Sequence, residues 1–259
     1  MSFSIEGRRI LVTGGARGVG GESARYFAQQ GANVVTFDVR DELGAQLAKE
    51  ATDAGPGKIT FRHMDVSKID EVRAGVEFAV AELGGIDAVL TSHGGPIFSP
   101  AEETPEADWD WQLSVNAKGN GLFCQAVFPH MKERGGSIVM IAAGGALKNE
   151  PIGSASYSAS KGAIISYART IGYEWGRYQI RVNCVNPVVV SPKHDEMRAA
   201  MDPEELALLE RQIGDKIPLG RYGDTATDLA PALQFLMSDA SKFITGQILA
   251  VDGGLNPSR

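Results

Sequence analysis

The stretch Thr13-Gly14-Gly15-Ala16-Arg17-Gly18-Val19-Gly20 closes an apolar run at residues 8–12 and opens a helical stretch at 18–30. An apolar run that ends in glycines and passes into a helix reads as the first turn of a βα unit. Working outward, β-like runs at 33–37, 58–63 and 86–90 alternate with helical stretches near 43–54 and 69–83. The second half keeps the rhythm. A long helix is expected over 106–132, a strand at 137–142, a helix at 156–173, a strand at 180–185, a helix at 225–237 and a strand at 246–251. Strict alternation of strand and helix calls for right-handed crossovers and a parallel sheet covered on both faces.

Residues 191–215 break the pattern. They are charged and helical with no strand partner, and their acidic stretch has Leu206 and Leu209 spaced to face inward, as in a lid helix. The expectation is an α/β chain: a single Rossmann-type, doubly wound parallel sheet with helices on both faces and a helical lid at about residues 191–215. No repeat or linker interrupts the chain, so residues 1–259 read as one domain.

Hydrophobic residues make up 43% and charged residues 22% of the 259, the balance of an ordinary globular protein. The net charge of −7 and the lack of a Lys/Arg block argue against nucleic acid or an anionic membrane surface as partner. No apolar run approaches the ~20 residues of a membrane span. Residues 1–9 carry no apolar core of a secretory signal, so the cytoplasm is the expected compartment. Cys124 and Cys184 are too far apart for a metal knuckle and read as small core residues, so no metal site is expected.

The glycines have a chemical use beyond the turn. Gly14, Gly18 and Gly20 stand as G-x-x-x-G-x-G, and missing side chains let the backbone approach a pyrophosphate at the helix N-terminus. A plain strand-to-helix turn uses the same residues. Asp38 ends the second strand, where a carboxylate accepts hydrogen bonds from an adenosine ribose and repels a 2′-phosphate. That favours NAD over NADP, against a simple loop or N-cap Asp. Arg17 and Arg40 are cations near enough to meet a phosphate instead.

Tyr157-Ser158-Ala159-Ser160-Lys161 puts a phenol and an ammonium at i and i+4, on one helix face. A cation so placed lowers the phenol pKa from about 10, and the tuned group exchanges a proton with a hydroxyl as hydride moves.

With the nucleotide turn, this pair resembles the short-chain dehydrogenase/reductase family, and the resemblance runs along essentially the whole chain. Asn186-Pro187 and the segment from Ile244-Thr245-Gly246 to Asp252-Gly253-Gly254 add to it. It implies Tyr157, Lys161 and Asn116 as catalytic residues, Asn116 helping to hold the lysine through a water. It also implies cofactor contacts from Gly14, Arg17, Gly18, Val19, Gly20, Asp38, Asp65, Val66, Gly94, Tyr157, Lys161, Pro187 and Val190. NAD is the cofactor expected, a small molecule the substrate, and a homotetramer the assembly. Leu122, Phe123, Val127, Phe128, Ile164, Ile165 and Tyr167 add to the last point, giving two long helices apolar residues on more than one face.

The departures are specific. Thr91-Ser92-His93-Gly94 stands where the family has Asn-Asn-Ala-Gly. Ser92 is able to supply the turn hydrogen bond. His93 reads as a loop histidine with a packing or hydrogen-bonding role, or as a second proton-transfer group. The family's catalytic serine is missing: the strand end reads Ile141-Ala142-Ala143, and counting back thirteen residues from Tyr157 reaches Gly144. Ser154 and Ser156 read as N-cap groups, or as a replacement hydroxyl. Ser191 is a candidate nicotinamide contact, His63 and His130 read as surface or core-edge positions, and His194 in the lid region reads as a solvated loop position or a substrate neighbour. Three readings stay open: a secondary-alcohol dehydrogenase or carbonyl reductase, a C=C reductase on the same scaffold, and a nucleotide-binding pseudoenzyme.

Overall fold

In the computed structural model, residues 3–147, 153–190 and 201–256 are described. Seven parallel strands, β1 (Arg9–Thr13), β2 (Asn33–Asp38), β3 (Lys58–His63), β4 (Ala88–Thr91), β5 (Gly136–Ile141), β6 (Ile180–Pro187) and β7 (Ile248–Val251), lie in the order β3-β2-β1-β4-β5-β6-β7. The order reverses at β1, which pairs with β2 on one side and β4 on the other. A crevice therefore opens between the carboxyl ends of β1 and β4, where such sheets take ligands.

Side-chain alternation builds the two faces. Leu11, Val35, Ile138 and Met140 point into one core, against α3 (Ile69–Leu83), α5 (Gly119–Met131) and α6 (Ala155–Glu174). Ile10, Val12, Val34 and Val139 point into the other, against α1 (Gly18–Gln29), α2 (Asp41–Ala54) and α8 (Ala230–Met237). Strands buried on both faces read as continuous apolar runs, as Ile10-Leu11-Val12 does. Cys124 and Cys184 are buried free thiols in the first core.

The helix expected over 106–132 is not uniform. It is α4 (Glu106–Trp111), a π-helical turn (Gln112–Lys118) and then α5. The wider i→i+5 turn leaves Gln112, Asn116 and Asn120, spaced four apart, all buried. The last expected helix also begins with a π turn, Thr225–Leu229, before α8. The charged region expected as a lid contains α7 (Pro203–Lys216), with Leu206 partly buried. Ser191 and His194 lie outside the described residues, as does part of the 144–153 loop. Among the described residues, no helix is long and apolar enough to cross a membrane.

Candidate active site

The glycine-rich turn follows β1 into the crevice. Gly14 has φ +69°, and a Cβ there would sit 2.6 Å from the Ser92 carbonyl oxygen; a Cβ on Gly20 would overlap the Gly14 carbonyl. Only glycine permits this close approach of turn, helix and β4 loop. The N-terminus of α1 carries no side-chain cap and no acid in its first turn, whereas α2 opens with Asp41 and Glu42 and α3 with Asp70 and Glu71. Its first N–H groups, from Gly18 through Gly20, have no partner within the helix, and the dipole favours an anion there. Arg17 is exposed and extended just before them, and Val19 is half-buried. This cradle fits a dinucleotide pyrophosphate.

Asp38 is buried at the end of β2. One carboxylate oxygen accepts the Ala16 N–H at 3.2 Å and the other accepts the Arg40 N–H at 3.1 Å. The carboxylate is thereby tied to the glycine-rich turn, with the Arg40 guanidinium 3.8 Å away. Asp65 follows β3. Burial raises its pKa, but hydrogen bonds from the Ser67 hydroxyl and N–H outweigh that and hold it below the usual carboxylate range. Val66 packs against the start of α5, 3.0 Å from where a Gly119 Cβ would stand.

On the other side of the crevice, α6 presents Tyr157 half-buried and Lys161 buried one turn later. The Lys161 Nζ lies 5.8 Å from the Tyr157 ring centroid and donates to the Ile141 carbonyl at 2.8 Å. Burial pushes its pKa down to about 8. Asn116 does not bond Lys161 directly. Its Oδ1 accepts the Gly95 N–H at 3.1 Å, and its Nδ2 donates to the Gly95 carbonyl, to Gln112 and to the Ser160 hydroxyl, which adjoins Lys161. Gly94, at φ +86°, has no room for a side chain because Asn116 fills it. Pro187 ends β6 and Val190 follows it half-buried, its N–H bonding the Gly223 carbonyl at 2.9 Å. Ser158 Oγ and Asn186 Oδ1 are buried with no hydrogen-bond partner among the described residues.

Several expectations change. The Ser92 hydroxyl makes no turn hydrogen bond among the described residues; its N–H bonds the Thr13 carbonyl instead. Ser154 occupies the N-cap position of α6 without a side-chain cap bond, and Ser156 turns inward to accept from Gln112 at 3.0 Å. His93 is buried, with Nδ1 2.6 Å from the Thr13 hydroxyl. Burial first, then Lys161, push its pKa down to about 3 against the Val115 carbonyl, so it is a neutral hydrogen-bonding histidine. His63 meets Asp41 and His130 meets Glu77 at the surface. Phe123, Val127, Ile164 and Ile165 are spent in the chain's own core, which leaves Leu122, Phe128 and Tyr167 partly exposed on the two long helices.

Gln112, Asn120, Ser160 and Asn256 are polar residues of the site that pattern reading passed over. Asp252 accepts the Gly254 and Asn256 N–H groups, which folds the C-terminal loop over the 144 turn. The Asn256 amide nitrogen then lies 2.8 Å from where a Gly144 Cβ would stand. The four-residue spacing of Gln112, Asn116 and Asn120 was the available signal for the first two.

A family model described as Enoyl-(Acyl carrier protein) reductase matches residues 14–256. The chain is 35% identical to a 3-oxoacyl-(acyl-carrier-protein) reductase of Thermotoga maritima, over 97% of this chain and 98% of that one. It is 33% identical to a D-threitol dehydrogenase of Mycolicibacterium smegmatis, over 97% and 94%. Its fold superposes on the crystal structure of an Escherichia coli hydroxysteroid dehydrogenase with a TM-score of 0.85 at 29% identity, covering 97% and 98% of the two chains. The glycine cradle, the Tyr157–Lys161 pair and these relatives agree: the chain is an oxidoreductase and belongs to the short-chain dehydrogenase/reductase family.

Proposed function

We propose that this oxidoreductase transfers hydride between NAD(H) and a secondary alcohol/ketone pair, with Tyr157 as acid/base. The observation that carries this reading is the buried Lys161, held on the Ile141 carbonyl and 5.8 Å from the Tyr157 ring. The names of the relatives support it: a 3-oxoacyl reductase and a threitol dehydrogenase both interconvert alcohols and carbonyls. NAD is our reading of the cofactor, because a buried carboxylate at Asp38 beside the glycine-rich turn would repel a 2′-phosphate.

A bound nicotinamide nucleotide supplies or accepts the hydride. Gly14, Arg17, Gly18, Val19 and Gly20 would hold its pyrophosphate, Asp38 a ribose, and Asp65 and Val66 the adenine. Gly94, Pro187 and Val190 would line the nicotinamide end, with Tyr157 and Lys161. The Tyr157 hydroxyl gives its proton to the substrate oxygen in reduction and takes it back in oxidation. The Lys161 ammonium favours the phenolate through charge. Asn116 completes the proton route by fixing the loop at Gly95 and the helix at Ser160.

Two observations favour a second reading, C=C reduction. No hydroxyl stands at 142–144 to orient a carbonyl, and the matching family model is described as an enoyl reductase. Absorbance at the NADH band with alcohols, ketones and enones, followed by product analysis, tests both. Ketone-to-alcohol turnover supports the first reading and enone saturation alone the second; no turnover with any of them contradicts both.

We place the protein in the cytoplasm, where two buried free thiols need no oxidising environment. Its assembly is a homotetramer. The apolar surface left on α5 and α6 and the exposed Leu249 on edge strand β7 supply interface. A monomer by light scattering overturns this.

A further inference from the structure

His93 closes a chain of buried polar groups from the end of β1 to the helix that carries Tyr157 and Lys161. Thr13 Oγ1 lies 2.6 Å from His93 Nδ1, and His93 Nε2 lies 3.2 Å from Asn120 Nδ2. Asn120 Nδ2 donates to the Asn116 carbonyl at 2.6 Å, and the Thr91 hydroxyl donates to Asn120 Oδ1. Asn116 in turn donates to the Ser160 hydroxyl at 3.0 Å. Thr13, Thr91, His93, Asn116, Asn120 and Ser160 are all buried, so each donor and acceptor has to be matched inside the protein.

Two neutral tautomers compete for these contacts. The Asn120 amide nitrogen has two hydrogens. One goes to the Asn116 carbonyl and the second faces His93 Nε2, which accepts it when the ring proton sits on Nδ1. With the proton on Nε2 instead, the Thr13 hydroxyl donates to Nδ1 and Nε2 meets the Val115 carbonyl, which leaves the second Asn120 hydrogen unmatched. A charged imidazole would set donor against donor at Asn120, and burial beside Lys161 disfavours that charge as well. With both ring nitrogens engaged, His93 has no lone pair or proton to offer a substrate.

The backbone around it serves the same end. Gly14 packs on the His93 backbone, where an added Cβ would stand 2.8 Å from its Cα, and Gly95 pairs with the Asn116 amide in both directions. The 93–95 loop is thus pinned to the nucleotide turn on one side and to the π turn on the other.

We propose that His93 is a positioning residue, whose imidazole donates to Thr13 and accepts from Asn120 so as to hold the π turn with Asn116 aimed at Ser160. The proposal rests on the reading of Tyr157 and Lys161 as the acid/base pair. Two substitutions separate positioning from packing. His93→Gln keeps an N–H for Thr13 and an oxygen for Asn120; His93→Leu fills similar space with neither.

The experiment has arms that do not share a failure. In ligand-free protein, 15N NMR of the imidazole shows a single Nδ1–H tautomer that does not titrate between about pH 5 and 8. An Nε2–H tautomer, or titration near the ordinary histidine value, overturns the proposal. Side-chain amide exchange at Asn116 and Asn120, also without ligand, is slow in wild type and His93→Gln and about tenfold faster in His93→Leu. Equal protection in all three overturns it. With NADH and a ketone, His93→Leu loses about tenfold in kcat while KM for NADH stays within about twofold, and His93→Gln recovers most of the rate. Undiminished kcat in the leucine variant, or a glutamine variant no better than leucine, overturns it. Absence of hydride transfer in wild type defeats the proposed function alone, since the two ligand-free arms still decide the role of His93. If the leucine variant does not fold, the imidazole spectrum and the exchange in His93→Gln decide it.

Discussion

Gly94 and Asn116 occupy each other's space: a Cβ on Gly94 would overlap Asn116 Oδ1, and the Asn116 amide closes on the neighbouring Gly95 peptide through both its N–H and its C=O. The side chain at 116 is therefore aimed by the absence of one at 94. Gly94→Ala meets this overlap and also a φ of +86° that L-residues rarely adopt. The backbone alone costs about 1–3 kcal/mol. We expect a folded variant with a melting point lower by several degrees and a kcat reduced more than its NADH affinity. Wild-type kcat in Gly94→Ala would show that Asn116 does not need this placement.

Lys161 makes the site sensitive to pH in a direction that can be worked out. Burial lowers its pKa to about 8 from 10.5. At about 1.4 kcal/mol per unit, keeping the lysine charged in the folded protein costs on the order of 3 kcal/mol. Below pH 8 both folded and unfolded states carry the proton and the full cost stands. Between 8 and 10.5 the unfolded chain binds more protons, so this residue's contribution to stability rises with pH. Lys161→Met should be more stable than wild type at neutral pH, and urea titrations should show the difference shrinking across that window. A pH-independent difference would contradict the buried, shifted ammonium.

Much of this arrangement is legible in the chain itself. Apolar runs such as Ile10-Leu11-Val12, ended by glycine, announce a doubly covered parallel sheet, and the Tyr157–Lys161 spacing announces a shared helix face. The π turn is not legible, because Gln112, Asn116 and Asn120 fit an ordinary i, i+4 pattern, and the bonds from Gln112 to Ser156 and from Asn116 to Ser160 that go with it come from distant sequence. The role of His93 is equally hidden. Thr13 meets the ring because β1 and β4 are neighbours, and Asn120 because the start of α5 lies against the end of β4, where it also bonds Thr91. Asn256 reaches Gly144 through a C-terminal loop whose fold depends on Asp252.

Asp38 sets the cofactor prediction. Its carboxylate faces the glycine-rich turn through the Ala16 N–H, with Arg40 close by. Fluorescence titration should find NADH bound at least about tenfold more tightly than NADPH, a difference of about 1.4 kcal/mol. Asp38→Ala should narrow that gap by removing the repulsion and leaving Arg17 and Arg40. Equal affinities in wild type, or a preference for NADPH, would mean that the arginines outweigh the carboxylate.

The missing hydroxyl after β5 is testable at two adjacent positions that differ in room. Ala143 already carries a Cβ and is extended, at φ −149° and ψ 144°, a backbone that a serine adopts without strain. Gly144 lies outside the left-handed region, but its Cβ would meet the Asn256 amide at 2.8 Å and push it aside. A preorganised donor to the reacting oxygen is worth about 2.7–4 kcal/mol in the barrier. Ala143→Ser should therefore raise kcat/KM for a simple ketone, and Gly144→Ser should raise it less. No gain in a folded Ala143→Ser that binds NADH normally would show that a hydroxyl there is not limiting, and would favour the C=C reading.

The central claim is that Tyr157 moves the proton while hydride is exchanged. Its most direct test is single-turnover oxidation of bound NADH by a ketone substrate in wild type and in Tyr157→Phe, followed by stopped-flow absorbance. The substitution keeps the ring that lies near Lys161 and removes only the hydroxyl. The account predicts unchanged NADH affinity, an unchanged melt and a rate lower by at least about 10²-fold. A Tyr157→Phe enzyme that turns over at the wild-type rate would contradict it.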